Sequence, residues 1–165
     1  MKLTILVAAA ENGVIGSVEK PIPWQLEDDE RQYREFSRKR PVIIGRVTRE
    51  LVGHHHSDVF EVVLSRNNSY HLDIGTVAHS LETAINLVSG FDEVVVLGGA
   101  QVYRQFLPIC DRILLTRVHA SPKGNAFFEF SPKDWTEISR KSYPASEDNE
   151  FSYSYIELRR SNRMR

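Results

Sequence analysis

Short β-rich apolar runs alternate along this chain with stretches of helical periodicity, and that alternation limits the fold more than any other feature. The apolar runs fall at 3–9, 41–44, 59–64, 93–97 and 111–118. Helical patterns lie between them at 26–38, about 46–52, 80–88 and 100–107. Strands that alternate with helices pair as parallel βαβ units, buried on both faces. Trp135–Tyr143 and Phe151–Leu158 read as two longer strands joined by the polar stretch Pro144–Glu150. That pair reads as an antiparallel hairpin added to one edge. The expected architecture is α/β: a single-domain mixed, mostly parallel sheet of about eight strands flanked by helices.

Composition narrows the classes of partner. The chain has 165 residues, 41% hydrophobic and 26% charged, as expected of one folded domain. Lys plus Arg is 21 against 22 for Asp plus Glu, giving a net charge of -1 and no overall field to hold nucleic acid or an anionic membrane. Cys110 is the only cysteine, which excludes an internal disulfide and argues against a cysteine zinc site; no metal is expected. No apolar run reaches the ~18–20 residues that span a bilayer. Leu3–Ala10 has the look of a short signal peptide, but Lys2 is its only basic residue and it runs directly into turn-like sequence. It is read as a core strand, in a cytoplasmic, monomeric protein. Residues 1–160 are assigned to the domain, and 161–165 to a basic, solvated tail.

Three apolar runs end in similar chemistry. The first ends in Gly45-Arg46-Val47-Thr48, the second in Ser65-Arg66, and the third in Gly98-Gly99-Ala100. Ligands of open parallel sheets sit beyond the carboxyl ends of the strands. Glycines let a ligand approach the backbone, helix starts near Ala100 and Thr48 offer unpaired N–H groups, and Arg46 and Arg66 add fixed positive charge. Two arginines favour a further phosphate, such as the 2′-phosphate of NADP, over a bare ribose. The G-x-G-x-x-G fingerprint is absent, which disfavours a standard Rossmann dinucleotide domain.

A second centre lies on the helix 26–38. Leu26, Asp29, Tyr33 and Phe36 share one face, so Asp29 is carried toward the core, while Glu27, Asp28 and Glu30 point more toward solvent. A carboxyl group in an apolar wall has a raised pKa unless a cation or donor meets it. Such a group suits an amidine-like ligand edge or assists protonation; the alternative is an acid bonded to a backbone amide of its own helix start. Ahead of it, Asn12-Gly13-Val14-Ile15-Gly16 reads as a turn and Pro21-Ile22-Pro23-Trp24 as a stiff lead-in. Together they form a long connection of about ten residues, a candidate active-site lid.

Val14-Ile15-Gly16, Pro23-Trp24, Asp29 with Tyr33, Gly45-Arg46-x-Thr48, Ser65-Arg66, Gly98-Gly99-x-x-Val102-Tyr103 and Leu115-Thr116 occur in the order and spacing of the dihydrofolate reductases, which the chain resembles over essentially its whole length. The resemblance implies NADPH-dependent reduction of 7,8-dihydrofolate to tetrahydrofolate, within one-carbon metabolism, by an antifolate target. It implies that Asp29 is the active-site acid, hydrogen-bonded by Thr116, with Trp24 holding a water near the pterin. Val7, Ala8, Ile22, Tyr33, Arg34, Ile44 and Val52 would form the folate slot. Gly98, Gly99 and Tyr103 would cradle the nicotinamide, and Arg46, Thr48, Ser65 and Arg66 the phosphates; Ala9, Ile15, Gly16, Gly45, Val47, Leu97, Ala100, Gln101 and Val102 complete the cofactor set. Glu30 is a rival acid, but the family places an aromatic four residues after its acid, and Asp29 has Tyr33 there whereas Glu30 has Arg34.

The chain departs from the pattern at three places. Val59 stands where the family carries an arginine for the substrate's glutamate α-carboxylate, Asn125 replaces an aspartate tied to lid conformation, and Gln101 lacks a positive charge. Arg34, Arg31 or the neighbouring histidines could compensate for Val59. His54-His55-His56 reads as an exposed loop rather than a metal site. The competing readings are an NADPH reductase of a related pterin or of a riboflavin-pathway pyrimidine, and a non-catalytic nucleotide-binding module.

Overall fold

Along the first strand, Leu3, Ile5, Val7 and Ala9 are buried against one side of a sheet while Leu6 and Ala8 face the other, the period-two alternation of a strand covered on both faces. The computed structural model describes residues 1–17, 19–53 and 56–161. In chain order the elements are β1 (Lys2–Ala10), β2 (Val14–Gly16), α1 (Glu27–Arg38), β3 (Val42–Gly45), α2 (Arg46–Val52), β4 (Glu61–Leu64) and β5 (Thr76–Ala78). They continue with α3 (Leu81–Val88), β6 (Glu93–Val96), α4 (Ala100–Phe106), β7 (Arg112–Val118), β8 (Ala126–Phe127), β9 (Trp135–Tyr143) and β10 (Tyr153–Arg160). Eight strands form one sheet in the order β5-β4-β3-β6-β1-β7-β10-β9, and β2 pairs with β8 apart from it. From β5 to β7 every pairing is parallel; β10 and β9 extend the edge antiparallel, as the sequence implies.

The two faces have separate cores. Val62, Val94, Val96, Ile113 and Leu115 pack with Val88, Val102 and Phe106 of α3 and α4. Val42, Ile44, Val63, Val95 and Leu97 pack beneath Tyr33 and Phe36 of α1. Among the described residues no helix is long and apolar enough to cross a membrane.

The start of α1 is secured from far along the chain. Its N-cap position is Leu26, whose side chain cannot accept a hydrogen bond. Instead the Glu27 N–H donates to the Asp148 carbonyl and the Asp28 N–H to Asn149 Oδ1, so the loop between β9 and β10 satisfies groups a helix start leaves orphaned. Asn149 Nδ2 and the Tyr153 hydroxyl donate back to Asp28 Oδ2 at 3.1 and 2.8 Å. Asp28 therefore does not point freely to solvent: it is half-buried and tied to the hairpin.

Two further expectations need correction. The connection between β1 and α1 is not a free loop, because β2 lies within it and pairs with β8. Strands of two or three residues, such as β2, β5 and β8, are too short to show any period. β4 begins at Glu61 rather than at 59, since the Ser57 hydroxyl accepts the N–H groups of Val59 and Phe60 and turns the chain there. His54, His55 and residues 162–165 lie outside the described residues.

One buried ion pair supports the segment between α2 and β4. Arg49 Nε donates to Glu61 Oε1 at 2.5 Å, and Glu61 Oε2 accepts the His56 N–H at 2.7 Å. Removing one member leaves a desolvated charge, which typically costs about 3–5 kcal/mol. Glu61→Ala is expected to lower the urea midpoint accordingly, whereas Arg49→Met/Glu61→Leu is expected to unfold closer to the unsubstituted protein; equal losses in the two variants would refute this account.

Candidate active site

Beyond the carboxyl ends of β1, β3, β4 and β6 opens a continuous cleft of about 1530 Å³. One arm runs along α1; the other passes the starts of α2 and α4. The crossing of strand order around β1, with β6 on one side and β7 on the other, leaves this crevice where the chain switches direction.

Asp29 lies in the wall of the first arm. The Thr116 hydroxyl, from β7, donates to Asp29 Oδ1 at 2.5 Å. Burial pushes the Asp29 carboxyl from its ordinary value near 3.8 to about 6; the Thr116 hydrogen bond opposes that rise and the neighbouring Glu30 charge reinforces it. The adjacent acid behaves oppositely: the hydrogen bond from Tyr153 holds Asp28 below the usual carboxylate range. Two successive aspartates thus divide into an anchor and an inward acid that binds its proton near neutrality. Thr116 itself is buried behind Asp29 and does not reach the cleft surface.

Around Asp29 the wall is apolar and aromatic. Val7, Ala8, Ile22, Trp24, Tyr33, Arg34 and Val52 line it, while Ile44 is fully buried beneath it. Trp24 is 7% exposed, and its indole N–H meets no acceptor among the described residues. The Tyr33 hydroxyl lies 3.1 Å from His56 Nδ1, and His56 Nε2 lies 3.1 Å from the Gly53 carbonyl. His56 is consequently part of the cleft wall rather than of an exposed loop, because the Arg49–Glu61 pair draws its backbone inward. Val59 is 46% exposed and does not line the cleft.

The second arm has a different chemistry. Arg46, Val47, Thr48, Ser65 and Arg66 come from the ends of β3 and β4, and Leu97, Gly99, Ala100, Gln101, Val102 and Tyr103 from the end of β6 and the first turns of α4. Ile15, Gly16 and Gly45 line the junction of the two arms. A Cβ on Gly99 would stand 2.8 Å from Thr48 Oγ1, so only glycine leaves that hydroxyl and the backbone beside it clear. Gly98 has φ +101°, and a Cβ there would meet the Tyr103 ring at 2.8 Å. The Tyr103 hydroxyl in turn reaches the carbonyls of Leu6 at 2.7 Å and Leu97 at 3.0 Å, tying the middle of β1 to the residue that follows β6. Gly98 and Ala9 stand behind the surface. Two guanidinium groups, two hydroxyls and an open glycine backbone form a donor set that matches a phosphorylated dinucleotide.

Several wall residues had no signal in the sequence strong enough to single them out. Arg38 extends the α1 wall past Arg34, and His79, whose Nδ1 lies 2.7 Å from the Ser65 carbonyl, lines the second arm beside Ser80. Their placement depends on where α1 ends and α3 begins relative to the cleft. Asn125 does reach the cleft, with its N–H on the Gly16 carbonyl at 3.2 Å.

Comparison with known proteins agrees with this geometry. The family model described as dihydrofolate reductase matches residues 2–160. The chain is 32% identical over 161 residues to dihydrofolate reductase type 3 of Salmonella typhimurium, covering 97% of this chain and 99% of that one. It is 33% identical over 162 residues to the dihydrofolate reductase of Haemophilus influenzae, with coverage of 97% and 99%. Among solved structures, the Enterococcus faecalis dihydrofolate reductase complexed with NADP(H) and RAB-propyl superposes with a TM-score of 0.88 at 26% identity, covering 98% of this chain and 97% of that chain.

The pairing of Asp29 with Thr116 has a measurable sign. Thr116→Val removes the donor that favours the ionised form, so the Asp29 carboxyl carbon is expected to titrate above its value of about 6 in a ¹³C NMR titration. Folded Asp29 keeps its proton to about 6, whereas unfolded Asp29 loses it near 3.8, so stability contributed by the protonated form is lost as pH rises through that window. Asp29→Asn is therefore expected to raise the unfolding free energy at pH 7, on the order of 2 kcal/mol. A lower stability of that variant would contradict the assignment.

Proposed function

This chain belongs to the dihydrofolate reductase family, and from that premise we propose how its cleft carries out the family's reaction, the NADPH-dependent reduction of 7,8-dihydrofolate to 5,6,7,8-tetrahydrofolate. When bound, NADPH supplies the hydride, which passes from nicotinamide C4 to pterin C6. The reduction also consumes one proton, which goes to N5. Everything else is the work of the protein: alignment, exclusion of water and control of that proton.

The observation that carries the reading is the Asp29 carboxyl, inward-facing and held by Thr116 at 2.5 Å in an otherwise apolar arm. Protonated Asp29 releases its proton toward N5 by way of water, and the carboxylate that remains accepts from the pterin 2-amino group and N3–H. Tyr33, Val7 and Ala8 flank the bicycle, and the free indole N–H of Trp24 orders a water beside it. Arg46, Thr48, Ser65 and Arg66 would hold the phosphates of NADPH, and Gly99 and Ala8 would flank its nicotinamide end. This chain thereby binds dihydrofolate as substrate and the antifolates that imitate its pterin ring.

Asp29→Asn is expected to cut turnover with dihydrofolate by ~10²-fold or more at pH 7, while the dissociation constant for NADPH moves less than about twofold, because the two arms are separate. In the unsubstituted enzyme the rate of the hydride step is expected to decline as pH rises through about 6, and this dependence should vanish in the variant. Stopped-flow NADPH absorbance checks both; equal loss of turnover and NADPH binding would reduce Asp29 to a structural residue.

A further inference from the structure

The neck of the substrate arm holds a hydroxyl–imidazole pair that the hydride and proton steps do not use. Tyr33 stands one helical turn, about 6 Å, beyond Asp29 on the same face of α1, and both line the cleft. His56 meets it from the segment between α2 and β4, and the two rings lie edge to face with centroids 5.9 Å apart. The imidazole is held at both nitrogens: Nδ1 lies 3.1 Å from the Tyr33 hydroxyl and Nε2 3.1 Å from the Gly53 carbonyl. The His56 backbone N–H is fixed on Glu61 Oε2 at 2.7 Å.

These contacts decide which way the Tyr33 hydrogen points. A carbonyl oxygen only accepts, so Nε2 carries the hydrogen of the neutral ring and Nδ1 is left as an acceptor. The Tyr33 hydroxyl then donates to Nδ1 and turns its lone pairs to the cleft. When the ring is protonated, Nδ1 carries a hydrogen as well and has to donate. The Tyr33 oxygen then accepts from His56, and its own hydrogen is released toward the cleft. Tyr33 keeps that hydrogen throughout, because burial, and after it the charges of Glu61 and Asp29, raise its pKa. Histidine changes its charge between about pH 5 and 8. The charges that face the pair come from each neighbouring element: Asp29 and, further along the wall, Arg34 from α1, Arg49 from α2 and Glu61 from β4, the last two joined in the buried ion pair.

We propose that His56 is a positioning residue acting through Tyr33: its protonation turns the Tyr33 hydroxyl from an acceptor into a donor at the neck of the substrate arm, so that the cleft then selects ligands whose aryl group carries an oxygen acceptor. The proposal rests on the cleft being a dihydrofolate site. Dihydrofolate brings both kinds of partner to that neck, an amine N–H on the pterin side of its aryl ring and an amide carbonyl on the other. The neutral pair suits the N–H, and the charged pair suits an oxygen. Selection of this kind depends on the direction of one hydroxyl and adds to the grip of Asp29 on the head group.

The test uses two probes with a common 2,4-diaminopyrimidine head, which offers Asp29 an amidine edge, joined through a methylene to a phenyl or to a methoxyphenyl ring. Because the head is shared, the titration of Asp29 cancels from the ratio of their dissociation constants, read by isothermal titration calorimetry. In the unsubstituted enzyme the preference for the methoxyphenyl probe is expected to rise about fivefold from about pH 8 to about pH 5, the worth of one neutral hydrogen bond. Tyr33→Phe lacks the hydroxyl and is expected to show no such rise. His56→Leu leaves the hydroxyl hydrogen uncommitted at every pH and is expected to keep the low-pH preference throughout. Long-range ¹H–¹⁵N spectra of the neutral imidazole should find its hydrogen on Nε2, which a merely structural role would not require. A hydrogen on Nδ1, a ratio that ignores pH, the same rise in Tyr33→Phe, or a His56→Leu ratio fixed at the high-pH level would each overturn the proposal. An enzyme that reduces dihydrofolate yet gives one of these results loses the hydroxyl switch and keeps the proposed function; one that binds neither probe and oxidises no NADPH with dihydrofolate loses both.

Discussion

Asp29 is carried by α1, and its hydroxyl donor Thr116 is carried by β7, so the environment that holds the acid exists only when helix and sheet are docked. A carboxyl group turned into an apolar wall costs free energy when ionised, and the fold has to compensate through packing elsewhere. It does so with Leu26, which packs with Ala10, Val14 and Trp24, and with Tyr33 and Phe36, which pack together over Val42, Ile44 and Val95. Tyr103 then ties the middle of β1, at Leu6, to Leu97 just beyond β6. The inward acid, the apolar wall around it and the second arm of the cleft are consequences of one docking arrangement.

The contrast between Asp28 and Asp29 illustrates how little the residue type decides. Both are aspartates at the start of the same helix, one bond apart in sequence. Three donors, the strongest being the Tyr153 hydroxyl, keep the first ionised; burial with a single donor raises the second. The first therefore serves anchoring and the second is the proposed proton site, a division produced by orientation around the helix axis rather than by composition.

Much of this was legible in the sequence. The four helices fall within a residue or so of the expected ranges, because each has an apolar face with a clear period and neighbours that stop it. The inward turn of Asp29 followed from the spacing of Leu26, Asp29, Tyr33 and Phe36. The phosphate arm was foreshadowed by glycine, arginine and hydroxyl residues at three strand ends. What escaped depends on distant partners. The tie of Asp28 to Asn149 and Tyr153 crosses more than a hundred residues, and no local pattern encodes it. The inward draw of His56 by Glu61 depends on the buried Arg49, which the sequence presents as one more charge on a short helix. Arg38 had no signal because a basic residue in a last turn is ordinarily explained by the helix dipole.

The grip of the β9–β10 hairpin on α1 has a consequence for the order in which the molecule is made. A ribosome that has released residues 1–140 has delivered every side chain proposed to touch substrate, yet Asn149 and Tyr153, which complete the beginning of the acid-bearing helix, are still to come. β10, which flanks β7 and hence the strand holding Thr116, is also missing. During translation the acid therefore cannot acquire its mature surroundings early, and a nascent chain gains its reductive competence late, once the strand beginning at Tyr153 has emerged and closed against its neighbour.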